Sequence, residues 1–190
     1  MLLLVGLGNP GSNYTNTRHN IGFKIIDAIN LHFKLSKQKP KFKGLLTTGN
    51  IEEKKIYAIK PLTFMNNSGT AIKELIDYFK IDAKDVIVFH DDMDIDFGKI
   101  KAKFGGSSAG HNGIESIDKF IGKDYSRVRI GIGHPKQKKK VNNHVLEDFK
   151  EDEEEKIKEI TENIVKQIPT LIDKKMELFS SKVNQNLNGI

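Results

Sequence analysis

Apolar residues along the chain follow two spacings, one typical of buried strands and one typical of helices. Residues 2–7 and 85–90 are short, nearly continuous apolar runs, which predict central strands covered on both faces. Residues 21–33, 70–79 and 114–121 repeat apolar positions every three or four residues, which predicts helices with one buried face. Strand-like and helix-like segments therefore alternate along the chain.

Further segments extend this alternation. Residues 45–51 and 55–60 have the pattern of two paired strands, and residues 127–133 predict another strand. From Asp152 onward the apolar spacing predicts one or two amphipathic helices, kinked or divided at Pro169. The alternation predicts the α/β class: a single-domain three-layer sandwich in which helices flank a mixed, mostly parallel sheet.

One domain is predicted to span residues 1–190, because the length suits a single core and no repeat is visible. Residues 183–190 are expected to form a flexible tail. No apolar run approaches the roughly 18–20 residues of a membrane span, and the first residues resemble a buried strand more than a signal peptide. The absence of cysteine excludes disulfides and thiolate catalysis, and is compatible with a cytoplasmic protein.

Charge is distributed unevenly along the chain. The formal net charge is +6, but residues 147–155 contain seven acidic residues and one lysine, so the remaining chain carries +12. A basic body favours a polyanionic partner. A lysine-rich soluble protein without such a partner is the alternative, and charge alone does not reject it.

Polar side chains follow the predicted strands at the points where the strands end. Four connections contribute amide, carboxylate or imidazole groups: Asn9, residues 63–66, Asp91 with Asp92, and His111 with Asn112. In open α/β sheets, ligands bind at the carboxyl ends of the strands. The sequence therefore predicts a functional site at this edge.

His19 is a candidate general base. It lies just before a predicted helix, with Asn20 at the N-cap position. The positive end of the helix predicts a neutral imidazole near pH 7, as a base requires, although an exposed histidine before a cap is the ordinary alternative. A base also needs an acidic partner to orient it, and Asp91 is the best candidate, with Asp92 and Asp94 as rivals.

Three asparagines offer neutral N–H donors near the same edge: Asn9, Asn66 and Asn112. Such donors can hold an acyl carbonyl, and the oxyanion that develops on it, without adding a titrating group. Local caps and turns are the alternative role for each. One asparagine can form a local cap or turn and also donate a hydrogen bond to a ligand.

Two predicted strands carry basic side chains on one face. Lys99, Lys101 and Lys103 alternate with apolar residues, and Arg127 and Arg129 repeat the pattern. A polar loop adds four lysines: Lys136, Lys138, Lys139 and Lys140. These groups could bind phosphates without reading base sequence, whereas a solvated strand face is the alternative. Together with the polar edge, phosphate binding is the favoured interpretation.

Two glycine motifs and one metal site suggest other functions. Residues 6–11 fit the dinucleotide pattern G-x-G-x-x-G, but a polar, turn-rich segment follows where a helix should begin, so a nicotinamide enzyme is not expected. Residues 106–110 fit G-x-S-x-G, which makes a serine esterase with Ser108 as nucleophile the main rival. Its partners would be Asp124 with His134 or His144. A metal site is possible by ligand type, without supporting spacing, at His19, His90, Asp91 and His111.

Five segments match one known family in order and spacing: GLGNPGSNYTNTRHNIGF at 6–23, KPLTFMNNSG at 60–69, HDDMD at 90–94, GHNGIESI at 110–117 and RVRIGIGHP at 127–135. Any one alone is weak, but together they are highly specific. On these segments the chain resembles bacterial-type peptidyl-tRNA hydrolases over nearly its whole length. The resemblance implies a monomeric cytoplasmic α/β enzyme that hydrolyses the ester between a peptide and the 3′ end of tRNA, releasing free tRNA for translation. It implies no metal or other cofactor, and neither membrane nor DNA as a partner.

The resemblance also implies roles for individual residues. His19 takes the position of the catalytic base, Asp91 that of the group stabilising its basic role, and Asn9 that linked to discriminating peptidyl from free aminoacyl ends. Substrate-binding positions are taken by Tyr14, Phe64, Asn66 and Asn112, with Met65 and His111 lining the same cleft. Phosphate contacts are expected from Lys103 and Arg129, with Lys101 beside them.

Overall fold

Seven strands form one mixed sheet in a computed structural model of the protein, which describes residues 1–135 and 141–187. The strands are β1 (Leu2–Gly6), β2 (Lys39–Lys41), β3 (Gly44–Ile51), β4 (Lys54–Pro61), β5 (Val86–Asp92), β6 (Ile100–Phe104) and β7 (Ser126–Gly131). The helices are α1 (Ile21–His32), α2 (Ser68–Phe79), α3 (Asn112–Ile121), α4 (Val141–His144), α5 (Glu151–Lys166), α6 (Ile168–Ile172) and α7 (Met176–Leu187). The basic-loop lysines Lys136, Lys138, Lys139 and Lys140 lie outside the described residues.

The sheet order is β2-β3-β4-β1-β5-β7-β6. The four central strands β4, β1, β5 and β7 are parallel, whereas β2, β3 and β6 pair antiparallel with their neighbours. The carboxyl ends of the central strands therefore meet at one edge, and β3 begins at that same edge because Gly44 pairs with Pro61. This arrangement confirms the predicted mixed sheet of an α/β fold.

Helices cover both faces of the sheet, which gives the predicted three layers. On one face, Leu3, Val5 and Val88 belong to a core that includes apolar residues of α2 and α3. On the other face, Leu4 and Phe89 belong to a core that includes apolar residues of α1, α5, α6 and α7. The alternation of burial between neighbouring residues of one strand follows from the two-residue period of a strand.

Two expectations about the segments change in the structure. Residues 183–187 continue α7, and Val183 and Leu187 are buried in the core, so these residues do not form the predicted tail, whereas residues 188–190 of that tail lie outside the described residues. The apolar contacts that order residues 183–187 come from distant elements, which the local sequence does not reveal. Strand β2 was not predicted, because its sequence Lys-Pro-Lys carries no apolar alternation and is exposed throughout. The predicted division near Pro169 is confirmed, since α5 ends at Lys166 and α6 begins at Ile168.

The connection after β1 does not form the helix of a dinucleotide-binding motif. Residues 12–14 form a 3-10 turn, and α1 begins only at Ile21. Gly22 of α1 instead packs directly on β1, where a Cβ atom would lie 2.3 Å from the backbone nitrogen of Leu7. This close approach brings the start of α1, and the residues just before it, to the carboxyl end of β1.

Among the described residues, no helix is both long and apolar enough to cross a membrane.

Candidate active site

His19 is held at the carboxyl edge of the sheet by the segments before α1. It lies in a 3-10 turn over Arg18–Asn20 that leads into α1, it is buried, and its backbone N–H donates to the carbonyl of Val145 at 2.8 Å. Asn20 occupies the N-cap position as predicted, but its side chain makes no capping hydrogen bond. It binds the backbone of Asn9 instead, accepting from the N–H at 2.8 Å and donating to the carbonyl at 2.9 Å. Asn20 therefore joins the β1 connection to the His19 turn.

The imidazole of His19 contacts the carboxylate of Asp91. Its Nδ1 lies 2.8 Å from Oδ1 and 2.9 Å from Oδ2 of Asp91, which is fully buried at the end of β5. A carboxylate accepts hydrogen bonds, so Nδ1 carries a proton, and in the neutral ring Nε2 keeps its lone pair. The rival acids are engaged elsewhere, because Asp92 accepts from Arg129 and Asp94 lies against His134.

His111 is a second donor to the same carboxylate. Its Nε2 lies 2.9 Å from Oδ1 of Asp91, and its Nδ1 accepts the backbone N–H groups of Gly113 and Ile114 in the first turn of α3. Because Nδ1 is an acceptor, the ring proton is on Nε2 and points at Asp91. The start of α3 thus fixes the tautomer of His111, and His111 helps to fix Asp91.

The electrostatic balance at His19 differs from the prediction. Burial lowers its pKa, but the charge of Asp91 and the hydrogen bond to it raise the pKa by more, so the net pKa lies above its ordinary value. The sequence predicted a pKa lowered by the helix terminus, whereas in the structure the carboxylate of Asp91 decides the direction of the shift. The pKa of Asp91 is lowered despite burial, because His19 and His111 stabilise the carboxylate.

His90, the fourth candidate metal ligand, is buried and lies outside the group formed by His19, Asp91 and His111. Burial, His111 and Arg127 lower its pKa to about 3, although Asp91 opposes this, so the ring is uncharged at neutral pH. Its Nδ1 bonds the backbone carbonyl of Asp91 at 2.7 Å. Among the described residues, the group with metal-binding geometry is His19, Asp91 and His111, whose ligand atoms lie within 4.8 Å of one another. The hydrogen bonds among these three residues account for that proximity without an ion.

The three asparagines lie around an adjoining cavity of about 360 Å³, lined by Asn9, His19, Phe64, Met65, Asn66, Asn112, Val145 and Leu146. The side-chain Oδ1 of Asn9 accepts the backbone N–H of Met65 at 2.8 Å. Its Nδ2 group has no partner among the residues described, and is left to donate to a ligand. Asn66 and Asn112 are exposed. The geometry therefore collects three amides beside His19, as the sequence predicted.

Aromatic and apolar groups form one wall of this cavity. Phe64 is half exposed and has a φ of 57°, a left-handed conformation that a phenylalanine rarely adopts. Tyr14 does not line the cavity but contacts Phe64 edge to face, with ring centroids 6.4 Å apart. Met65 is buried and lines the same cavity. A second cavity of about 170 Å³ adjoins the first, sharing His19, Asn112 and Val145, and also contains Asp91 and His111.

Val145 and Leu146 are site residues that the sequence did not predict. They follow α4 on a strap, residues 144–149, that pairs with the chain before His19 through Thr17 and Asp148. Arg18 secures the strap with hydrogen bonds to two of its carbonyls, those of His144 and Glu147. It also pairs with Glu153 at 2.8 Å, so the acidic segment neutralises a buried arginine here. The sequence feature that could have identified these two site residues is an apolar Val-Leu pair within a polar, acidic stretch.

The basic residues on β6 and β7 have different environments. Lys101 is exposed, and Lys103 is partly buried with its pKa lowered, first by burial and then by Arg129 and Arg127. Arg129 pairs with Asp92 at 2.7 Å. Arg127 is not on a solvated face: it is buried, pairs with Asp118 and donates to the carbonyl of Ser107. The prediction of a phosphate-facing Arg127 is wrong, because α3 covers this part of the sheet.

The serine-esterase alternative lacks its base. Ser108 donates to Glu115 and is bonded to no histidine among the described residues. His134 is occupied by Asp94, and His144 lies near the carbonyl of Ile132. Ser108 is therefore a lining residue of the smaller cavity and not an activated nucleophile.

A family model for peptidyl-tRNA hydrolase matches residues 3–189 of the chain. The chain belongs to the peptidyl-tRNA hydrolase family. It is 73% identical over 184 residues to the peptidyl-tRNA hydrolase of Pelagibacter ubique, and the aligned region covers 97% of this chain and 99% of that relative. It is 46% identical over 181 residues to that of Ehrlichia ruminantium (strain Welgevonden), covering 95% and 93%.

Solved structures agree with the family. The crystal structure of peptidyl-tRNA hydrolase from Acinetobacter baumannii matches with a TM-score of 0.90 and 34% identity, covering 97% of this chain and 94% of that one. The family resemblance, the α/β fold and the class of carboxylic ester hydrolase are thereby confirmed.

Proposed function

We propose that the chain hydrolyses the ester bond between a peptide, or an N-blocked aminoacyl group, and the 3′ end of tRNA, with His19 as the general base. The observation that carries the proposal is the hydrogen bond from Nδ1 of His19 to Asp91, which leaves Nε2 free to accept a proton. His19 lines both cavities, beside the amides of Asn9 and Asn112. Family membership supplies the class of substrate.

The reaction needs one water and no covalent enzyme intermediate. Nε2 of His19 takes a proton from water, and the oxygen of that water attacks the ester carbonyl. Asn9, with Asn66 or Asn112, donates hydrogen bonds to the oxyanion that develops. The ribose 3′ oxygen then leaves as it receives a proton from the imidazolium, directly or through a water molecule, which restores the base. Asp91 orients the ring and stabilises its protonated form.

The remaining predicted residues divide between substrate and phosphate contacts. Phe64 offers an aromatic surface in the cavity, Tyr14 supports that ring edge to face, and Met65 adds an apolar lining group. Lys101 and Lys103 are proposed to contact tRNA phosphates, since they project from the same face of β6. Arg129 joins them, although its ion pair with Asp92 offsets part of its charge. The proposed setting is a cytoplasmic monomer acting without a metal, a membrane or DNA.

The proposal is tested by incubating the enzyme with N-blocked aminoacyl-tRNA and measuring release of the acyl group with and without EDTA. We expect release that EDTA does not reduce, and full activity in Ser108→Ala. No release by the folded wild-type protein would overturn the hydrolase proposal. Loss of activity in Ser108→Ala, together with labelling of Ser108 by a fluorophosphonate, would favour the serine-esterase mechanism.

His111→Asn tests whether His111 positions Asp91. Asparagine is a good N-cap and preserves the start of α3, but it is too short to cap the helix and reach Asp91 at once. A hydrogen bond to a charged group contributes about 1.5–3 kcal/mol, so kcat should fall about tenfold or somewhat more. Asp91 loses a donor and acts more strongly on His19, so the acidic limb of the pH–rate profile should move to higher pH. An unchanged kcat and limb would contradict this role.

A further inference from the structure

A lysine-rich segment lies on the sheet edge farthest from β6. Residues 33–51 contain five lysines and no acidic residue. Four of these lysines lie in residues 37–43, which comprise β2 and the turn into β3 and are called the lysine hairpin below. All four are exposed: Lys37, Lys39, Lys41 and Lys43. Lys43 lies 3.4 Å from Glu74, whereas the other three have no acidic partner among the residues described.

The turn of the lysine hairpin is built from residues that disfavour its conformation. Phe42 and Lys43 both have a φ of 53°, in the left-handed region where glycine or asparagine is usual. Burial of the Phe42 ring against Tyr78 and Phe79, at centroid distances of 5.2 and 5.6 Å, offsets this cost. The anchored ring leaves the flanking Lys41 and Lys43 in solvent.

Lys41 is restrained without being neutralised. Its Nζ lies 4.9 Å from the ring centroid of Phe42, 4.7 Å from that of Tyr78 and 5.8 Å from that of Phe79. Cation–π contacts hold an ammonium group while adding no negative charge. The nearby acid Asp77 is paired with Lys73 at 2.6 Å. The hairpin therefore presents an ordered positive charge, which loses less entropy on binding an anion than a free lysine does.

The lysine hairpin adjoins the wall of the active site. The backbone N–H of Leu62 donates to the carbonyl of Lys43 at 2.8 Å, and Phe64 of the cavity wall follows two residues later. In the sheet order, six strand spacings separate β2 from β6, about 29 Å at 4.8 Å per spacing. Cationic groups thus lie on both flanks of the cleft, too far apart for one mononucleotide to reach.

We propose that the lysine hairpin is a second surface for tRNA phosphates, on the flank of the cleft opposite Lys101 and Lys103. The inference rests on the proposed function, which brings a tRNA 3′ end into this cleft. Tyr78 is 63% exposed and adds an aromatic face beside the lysines, a combination suited to RNA. Phosphate is present in every tRNA, whereas an acidic nascent peptide is not, so a fixed set of lysines fits the RNA.

The test compares two variants that lose the same charge. Lys37→Gln/Lys39→Gln/Lys41→Gln removes the unpaired hairpin lysines. The control replaces three exposed lysines of α5 and α7: Lys158→Gln/Lys166→Gln/Lys182→Gln. Binding of deacylated tRNA is measured between 50 and 200 mM KCl, and kcat and KM are measured on N-blocked aminoacyl-tRNA. For the hairpin variant we expect the slope of log Kd against log salt to fall by about 2–3, with KM raised and kcat unchanged. The control should keep the wild-type slope.

A hairpin variant with the slope of the control would overturn the proposal. So would unchanged binding of deacylated tRNA combined with a KM that rises only for acidic peptides, which assigns the surface to the peptide. If the triple variant melts earlier than wild type, Lys37→Gln/Lys39→Gln, which keeps Lys41 over its rings, should lower the slope by about 1–2. The binding measurement does not depend on ester cleavage, so failure of the hydrolase proposal appears separately as a wild-type protein that releases nothing.

Discussion

His19→Ala is expected to lower kcat on peptidyl-tRNA by about 10²–10⁴-fold, because the variant keeps the cavity but loses the group that removes a proton from water. The loss corresponds to about 3–5 kcal/mol of transition-state stabilisation. KM and the affinity for deacylated tRNA should change little, since the ring contacts Asp91 and not the proposed phosphate surfaces. Single-turnover kinetics measure the chemical step directly.

Added imidazole provides a sharper form of this experiment. The side chain removed from the cavity is itself an imidazole, so millimolar imidazole should restore part of the rate in His19→Ala and none in Asp91→Asn. His32→Ala is the matched control, because His32 is exposed near the end of α1, away from the cavities. Near-wild-type turnover by folded His19→Ala would sink the proposed mechanism.

Asp91→Asn should lower kcat by a similar factor, about 10²–10⁴-fold, by reversing the tautomer of His19. The carboxylate accepts from both His19 and His111. An amide has one oxygen, and its NH2 group would face one of the two rings as a donor. Because α3 fixes His111 as a donor, the amide oxygen goes to His111 and its NH2 to His19. Nδ1 of His19 then becomes the acceptor, and the proton moves to Nε2, where a base is needed.

The pH profile separates this explanation from simple misfolding. In the wild type, protonation of His19 removes the base, so activity should fall as the pH drops through a pKa that Asp91 holds above the ordinary value of about 6.5. Removing the charge of Asp91 should move the residual acidic limb to lower pH. An unmoved limb, or a urea midpoint so low that the variant is unfolded at the assay temperature, would contradict the tautomer argument.

Folding stability should also depend on pH through this pair, and the contributions of the two residues should be lost in opposite pH directions. The pKa of Asp91 is lowered on folding, so its ionised form stabilises the folded state above the ordinary carboxyl pKa and that contribution is lost as the pH falls. The pKa of His19 is raised on folding, so its contribution is largest below its ordinary pKa and disappears as the pH rises through the raised value. Asp91→Asn should remove both dependences together, because they arise from one pair.

Much of the fold follows from local patterns in the sequence. The apolar spacing predicted β1, β5, α1, α2 and α3 to within a few residues, because burial of one face imposes a period of two or 3.6 on the chain itself. The same patterns placed Asn9, Asp91 and His111 after or between strands. The parallel arrangement of those strands was sufficient to predict that the groups share one edge.

The tertiary structure decided which of these groups touch and what their surroundings do to them. His19 and Asp91 are 72 residues apart, and their contact depends on Gly22 packing against β1 and on α1 lying beside β5. Arg127 is buried although its strand pattern resembles that of Arg129, because α3 and Asp118 cover only one of the two.

The direction of the His19 pKa shift has the same origin. The sequence shows only that a helix begins after His19, whereas the buried carboxylate that outweighs the desolvation of the ring comes from β5. Val145 reaches the site because Arg18, near the start of the chain, binds the strap, which lies more than 120 residues later in the sequence. The sequence therefore determined the elements and the residues available for chemistry. Their partners, burial and protonation were decided by packing between distant segments, since those quantities depend on neighbours that no local period specifies.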